Sequence, residues 1–107
     1  MEIETAVQDG IAYLHLSGRL TAGAAEIQLV AAVDELLRRE LRQLVVDMSA
    51  VPFVDSTGLG ALVRCHGRCV GRQGSLRVEG AQGSFLNVLK LTRLERLLAP
   101  PEEVPDV

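Results

Sequence analysis

The 107-residue chain has few aromatic residues: one Tyr, two Phe and no Trp. Stacking platforms for bases or sugar rings are built from aromatic side chains, and this sequence does not supply them. The net charge of −3 gives no excess of Lys and Arg for neutralising phosphates. We therefore expect no nucleic-acid partner and a core made mainly of Leu, Val and Ala.

Long apolar runs are also missing. No run approaches the roughly 20 residues that cross a bilayer, and Met1-Glu2-Ile3-Glu4 lacks the basic start of a secretory signal. We therefore predict a cytoplasmic protein without membrane insertion. The length fits one domain with one core, which we place over residues 1–107, with the core at 2–98 and a short Pro-rich acidic tail at 99–107.

Cysteine is scarce: only Cys65 and Cys69 are present. Four residues apart in a predicted helix, they point to the same face but do not suit disulfide geometry. His66 adds a third donor, whereas a structural zinc site needs four. We expect buried, reduced thiols and no metal or other cofactor.

The apolar spacing predicts the element order β-β-α-β-α-β-α. Residues 2–7 and 11–17 alternate, as half-buried strands do, and Gln8-Asp9-Gly10 makes a tight turn between them. Helical spacing from Ile27 to Leu41 predicts an amphipathic helix of about five turns. The run Leu44-Val45-Val46 predicts a central strand covered on both faces.

A second helix is predicted from Ser56 to about Val70, with its apolar side at Leu59, Leu62, Val63, His66 and Val70. A strand at Ser75–Glu79 and a helix at Phe85–Leu91 follow. The fold class is α/β: a mixed, mostly parallel sheet of four to five strands, about three main helices and a truncated C-terminal element.

Catalytic motifs are absent. The sequence contains no phosphate-binding Gly-rich loop, no dinucleotide fingerprint and no G-x-S-x-G nucleophile elbow. Only His15, expected to be an ordinary strand residue, and His66, on the predicted apolar side, could act as a base for a serine nucleophile. We therefore predict that the protein is not an enzyme, and a small serine hydrolase is the last alternative.

The loop after the central strand is the main candidate site. Asp55 precedes Ser56, which stands where a helix N-cap is expected, at the carboxyl end of a strand, where open α/β sheets place functional loops. From spacing alone, capping is the better explanation of the Ser56 hydroxyl. Gly58 and Gly60 each cost about 1 kcal/mol relative to Ala inside a helix, which indicates either close backbone packing or a bare surface for a partner.

The segment "LVVDMSAVPFVDSTGLGAL" resembles the signature of STAS domains, particularly the anti-sigma factor antagonists of bacterial partner-switching systems. "LHLSGRLTAGAAEIQ" is similar to the family's strand, loop and first helix, and "GSFLNVLKLTRLERLL" to its last-helix segment. The resemblance covers residues 2–98. Two departures are the short end "APPEEVPDV" and Arg93, which stands where the family has Gly.

The resemblance implies that Ser56 is phosphorylated by an anti-sigma factor with serine kinase activity. The unphosphorylated form would hold this kinase and free the sigma factor, and a serine phosphatase would reset the modified form. Physics alone does not separate Ser56 from Thr57. The residues expected to border the partner-binding surface are Asp55, Ser56, Thr57, Gly58 and Leu59, with Gly18, Leu20 and Thr21 in the neighbouring loop.

Arg64, Arg68 and Arg72 form a stripe at i, i+4 and i+8 on the second helix. Such charge runs usually lie on a solvated face, and the alternative is contact with an acidic patch on the kinase or phosphatase, which makes Arg64 a further candidate contact. The second functional hypothesis is a STAS interaction subunit of a lipid-transport ATPase complex or a stress-signalling scaffold.

Overall fold

The structure is a computed structural model that describes residues 1–92 and 94–98. Its four strands form one sheet in the order β1 (Glu2–Gln8), β2 (Ile11–Ser17), β3 (Gln43–Ala50) and β4 (Ser75–Glu79). The β1–β2 pair is antiparallel, and the β2–β3 and β3–β4 pairs are parallel. The predicted mixed, mostly parallel sheet is confirmed.

In the described part of the chain, four helices follow or separate the strands: α1 (Ala24–Arg38), α2 (Ser56–Gly71), α3 (Gly83–Leu91) and the single-turn α4 (Glu95–Leu98). The single-turn α4 follows the predicted helix at Phe85–Leu91. Arg93 and the predicted tail at 99–107 lie outside the described residues. Within the described ranges, no helix has the length and apolar character needed to cross a bilayer.

The β1–β2 hairpin has the predicted tight turn but an unexpectedly exposed first strand. Asp9 and Gly10 have φ values of 54° and 79°, as a two-residue type I′ turn requires. In β1, only Ile3 is half-buried, and the remaining residues are exposed. Among the described helices, α1 packs only sparsely on β1, whereas α2 and α4 cover the other edge strand, β4. The prediction of a half-buried first strand was therefore wrong for most of its length.

The core lies on one face of the sheet, between the strands and the helices. Leu14 and Leu16 of β2 point into it, as their alternation predicts. Val45 of β3 is not part of this core. It is nevertheless buried, with 8% exposure, because it lies between its cross-strand neighbours Tyr13 and Arg77. Leu44, Val45 and Val46 are all buried and β3 is an inner strand, so the predicted central strand covered on both faces is confirmed.

The buried face of α1 differs from the predicted one. Ile27 is 68% exposed, and the helix ends at Arg38, before Glu40 with its left-handed φ of 64°. Residues spaced three apart fall about 60° short of a full helical turn, so the predicted apolar residues, spaced mostly by three, do not all lie on one face of α1. The residues that α1 buries are Ala25, Leu29, Val33, Leu36 and Leu37.

The buried face of α2 was also assigned incorrectly in part. Val70 is 53% exposed, and His66 is only half-buried. The innermost positions of α2 are occupied mainly by small residues, because small residues let the helix approach its neighbours closely. The residues that α2 buries are Gly58, Ala61, Leu62, Cys65 and Cys69.

Candidate functional site

Two loops meet at the carboxyl edge of the sheet and are joined by backbone hydrogen bonds. The Gly18 N–H donates to the Ala50 carbonyl over 3.1 Å, and the Leu20 N–H donates to the Phe53 carbonyl over 3.0 Å. The Asp55 N–H returns a bond of 3.2 Å to the Leu20 carbonyl. These bonds extend the β2–β3 pairing past the strand ends, so the predicted closeness of the two loops is confirmed.

Asp55, not Ser56, is the N-cap of α2. Its backbone is extended, with φ −88° and ψ 178°, and its Oδ1 accepts the Gly58 N–H over 2.7 Å. Its Oδ2 accepts the Ala22 N–H of the other loop over 3.0 Å. The N–H groups of Ala22 and Gly58 lower the pKa of the Asp55 carboxyl below its ordinary value. A carboxylate can serve two donors at once, and for this reason it takes the capping position that we had assigned to the Ser56 hydroxyl.

Ser56 is thus the first residue of α2, and its side chain is exposed, whereas Thr57 is half-buried. Ser56 is thus the more accessible of the two hydroxyl-bearing residues. Because Asp55 already caps the helix, the capping explanation of the Ser56 hydroxyl is wrong. This hydroxyl stands at the positive end of a 16-residue helix, where an added anion is favoured.

The two glycines of the first turns have different roles. A Cβ on Gly58 would lie 2.3 Å from the Leu20 carbonyl oxygen, so this position requires close backbone packing. A Cβ on Gly60 would meet only Arg64 Nη1, at 3.9 Å, and is otherwise in open space. Gly58 therefore holds the two loops together, and Gly60 leaves the surface beside Ser56 free of a side chain.

The structure brings all eight predicted loop residues together, but they differ in burial. Leu20 is fully buried and Gly58 is buried, so both support the surface from beneath. The others are at least partly accessible: Gly18, Thr21, Asp55, Ser56, Thr57 and Leu59.

An exposed cation–π pair lies on the same surface and was not predicted. The guanidinium carbon of Arg19 is 4.7 Å from the centre of the Phe53 ring, and Phe53 is 40% exposed. The pair joins the two loops, and Arg19 also helps to lower the pKa of Asp55 through its charge. An Arg directly after Gly18 and a lone aromatic before Asp55 were the available signals, but their contact depends on the folded loops.

The third loop of this edge, which follows β4, is hydrogen-bonded to β3. The Gln82 amide donates to the Ser49 carbonyl over 2.8 Å, and the Ser49 N–H donates to Asp47 Oδ1 over 3.0 Å. His15 Nδ1 is 2.9 Å from Asp47 Oδ2, so His15 has a specific carboxylate partner. The Ser49 N–H and then His15 lower the pKa of Asp47.

Two of the three stripe arginines, Arg64 and Arg68, pair with α1. Arg64 Nη2 is 2.5 Å from Glu26 Oε1, and Arg68 Nη1 is 2.7 Å and 2.6 Å from the two carboxylate oxygens of Asp34. Arg64 and Arg68 therefore lie on an ion-paired face between two helices, whereas Arg72, the C-cap of α2, is exposed, as the solvated-face prediction expects. About half of the Arg64 and Arg68 side chains remains exposed, at 51% and 47%.

Cys65 and Cys69 are buried free thiols, as predicted. Burial raises their pKa to about 12 and about 11, so both remain protonated at neutral pH and are poor nucleophiles. Over residues 1–92 and 94–98, no three His, Cys, Asp or Glu side chains cluster in a way that could hold a metal ion.

The fold and this edge define a class: an α/β domain that presents a loop–helix surface with an accessible serine. The chain matches the STAS domain family over residues 2–105 and belongs to that family. No curated protein matches the chain.

Solved structures share the fold at low identity. A candidate anti-sigma factor antagonist from Thermotoga maritima has a TM-score of 0.81 at 22% identity, covering 90% of this chain and 82% of its own. The phosphorylated form of SpoIIAA, a Bacillus cell fate determinant, has a TM-score of 0.73 at 15% identity, covering 95% and 93%. A sulfate transporter family protein from Wolinella succinogenes has a TM-score of 0.73 at 21% identity, covering 88% and 75%.

Proposed function

We propose that this chain is an anti-sigma factor antagonist of a bacterial partner-switching system and acts in the cytoplasm. Unmodified, it binds an anti-sigma factor with serine kinase activity and frees the sigma factor. Phosphorylation of Ser56 releases the antagonist, and a serine phosphatase restores it. The chain is then a substrate and a binding protein, not an enzyme.

The observation that carries this proposal is the exposed Ser56 hydroxyl at the start of α2, left free because Asp55 caps the helix. A kinase must reach its acceptor hydroxyl, and the bare turn at Gly60 keeps the approach open. The structural neighbours described as anti-sigma factor antagonists support the same role.

The electrostatics of the site suit a switch. A phosphoryl group on Ser56 adds about −1.5 to −2 charges beside the Asp55 carboxylate. The N-terminus of α2 can accommodate this anion in the free protein, so the fold should survive. An interface packed against the unmodified hydroxyl would have to desolvate the dianion, and a net penalty of about 3 kcal/mol weakens binding roughly a hundredfold.

The direct test is incubation with each serine-kinase anti-sigma factor of the source organism and ATP, followed by phosphosite mapping. We expect one kinase to bind the unmodified chain and to place phosphate on Ser56, with no incorporation into Ser56→Ala. Thr57→Ala is the matched control and should still be phosphorylated. Phosphate on Thr57 instead, or no kinase bound by the unmodified chain, would defeat the proposal.

The second candidate is a STAS interaction subunit of another assembly, such as a lipid-transport ATPase complex or a stress-signalling scaffold. The likeness to a sulfate transporter family protein favours keeping it. Co-purification would distinguish the two: permease and ATPase subunits favour the second candidate, and a serine kinase favours the first.

A further inference from the structure

The groove between α1 and α2 contains an apolar side chain that the fold leaves exposed. Ile27 is 68% exposed, although it is an aliphatic residue in the first turn of the amphipathic helix α1. It opens onto a surface depression of about 350 Å³. The lining of this depression consists of three apolar residues and two interhelical ion pairs: Ile27, Val30 and Ala31, with Glu26–Arg64 and Asp34–Arg68.

The two ion pairs present their cationic members outward. Arg64 is 51% exposed and its partner Glu26 only 23%. Arg68 is 47% exposed and its partner Asp34 only 34%. An incoming surface therefore meets an aliphatic centre flanked by guanidinium groups, which favours a partner with an aliphatic side chain flanked by carboxylates.

The depression is continuous with the Ser56 surface. Ser56, Gly60 and Arg64 recur at four-residue spacing and so share one face of α2. Ser56 and Arg64 are about 12 Å apart along the helix at 1.5 Å per residue. A standard protein interface of about 800 Å² per partner is roughly 30 Å across, so one partner can cover both. Gly60 places no side chain between them.

From this geometry we propose that the α1–α2 depression is a second docking point for the anti-sigma factor kinase, with Ile27 as its apolar anchor. The kinase inserts an aliphatic side chain at Ile27 and places carboxylates against Arg64 and Arg68. This inference rests on the proposed function and extends it to a surface on which no phosphate is placed.

The test measures the affinity of unmodified variants for the kinase that phosphorylates Ser56 of the wild-type chain. Ile27→Lys should weaken binding about tenfold or more, because burial of an aliphatic side chain is lost and a cation is added opposite the partner's apolar group. Ile27→Ala should weaken it several-fold and retains the fold, because Ala favours helix. Leu91→Lys is the matched control, since Leu91 is 84% exposed on α3, and it should bind like wild type.

A second arm tests the charges. Arg64→Glu together with Arg68→Glu should slow association most at low salt, whereas Arg96→Glu on α4 should not. Wild-type-like affinity of both Ile27 variants would overturn the docking point and leave the proposed function intact. Failure of every kinase to bind the wild-type chain would instead overturn the proposed function and, with it, this inference.

Discussion

The inner and outer faces of α2 use small residues for opposite purposes. On the inner face, Gly58 lets the helix touch the Leu20 backbone, and Cys65 is fully buried. On the outer face, Gly60 borders open space between Ser56 and Arg64. The inner face therefore fixes the position of the loops, whereas the outer face is open to solvent at Gly60. A residue type alone does not reveal which purpose it serves.

The largest difference between the faces should appear when each glycine is replaced by Ala. Gly58→Ala should lower the free energy of unfolding by about 3 kcal/mol, because its Cβ would overlap the Leu20 carbonyl oxygen. Gly60→Ala should raise it by up to about 1 kcal/mol, because Ala favours helix and meets no obstacle. Urea denaturation of both variants measures this, and equal effects would refute the assignment of the faces.

The Asp55 cap should make the contact between loops and helix sensitive to acid. Its hydrogen bonds hold the folded pKa below the ordinary value of 3.8, so the carboxylate stabilises the fold above that pH. This contribution is lost as the pH falls through the folded pKa. Asp55→Asn should therefore have a lower denaturation midpoint than wild type at pH 7, and the difference should shrink towards pH 3. A difference that is unchanged at pH 3 would contradict the cap as described.

The smallest expected effect belongs to the outer ion pairs. A double-mutant cycle with Arg64→Ala and Glu26→Ala should give a coupling of about 0.5 kcal/mol or less, because the guanidinium is half exposed. Raising the salt concentration should reduce it further. A coupling several times larger would mean that the outer face, too, is structural.

The order of elements was readable from the sequence because their apolar periods are strong. The predicted β2 and β4 coincide with the strands found, and α2 begins at the predicted residue. The predicted α1 extended to Leu41, beyond its actual end, because the apolar pattern carries no signal for the left-handed backbone of Glu40. The apolar periodicity thus predicts which element forms, whereas the residue at which a helix ends depends on the local backbone conformation.

The sequence placed the predicted loop residues together, as they are in the structure, but did not give their contacts. The Asp55–Ser56 sequence allowed either residue to cap, and the choice depends on the Ala22 N–H, which lies in a different loop. The contact between Arg19 and Phe53 is likewise non-local. Such pairings follow from tertiary structure, and single-sequence patterns do not contain them.

In the proposed function, the Ser56 hydroxyl on the outer face of α2 controls kinase binding while the fold stays the same. The most direct test is to measure, by titration calorimetry, the affinity of the same kinase for the unmodified chain and for the chain phosphorylated on Ser56. We predict a loss of at least about a hundredfold on phosphorylation, with Ser56→Ala binding like the unmodified chain. Equal affinities of the two forms would contradict the proposed control of kinase binding by phosphorylation of Ser56.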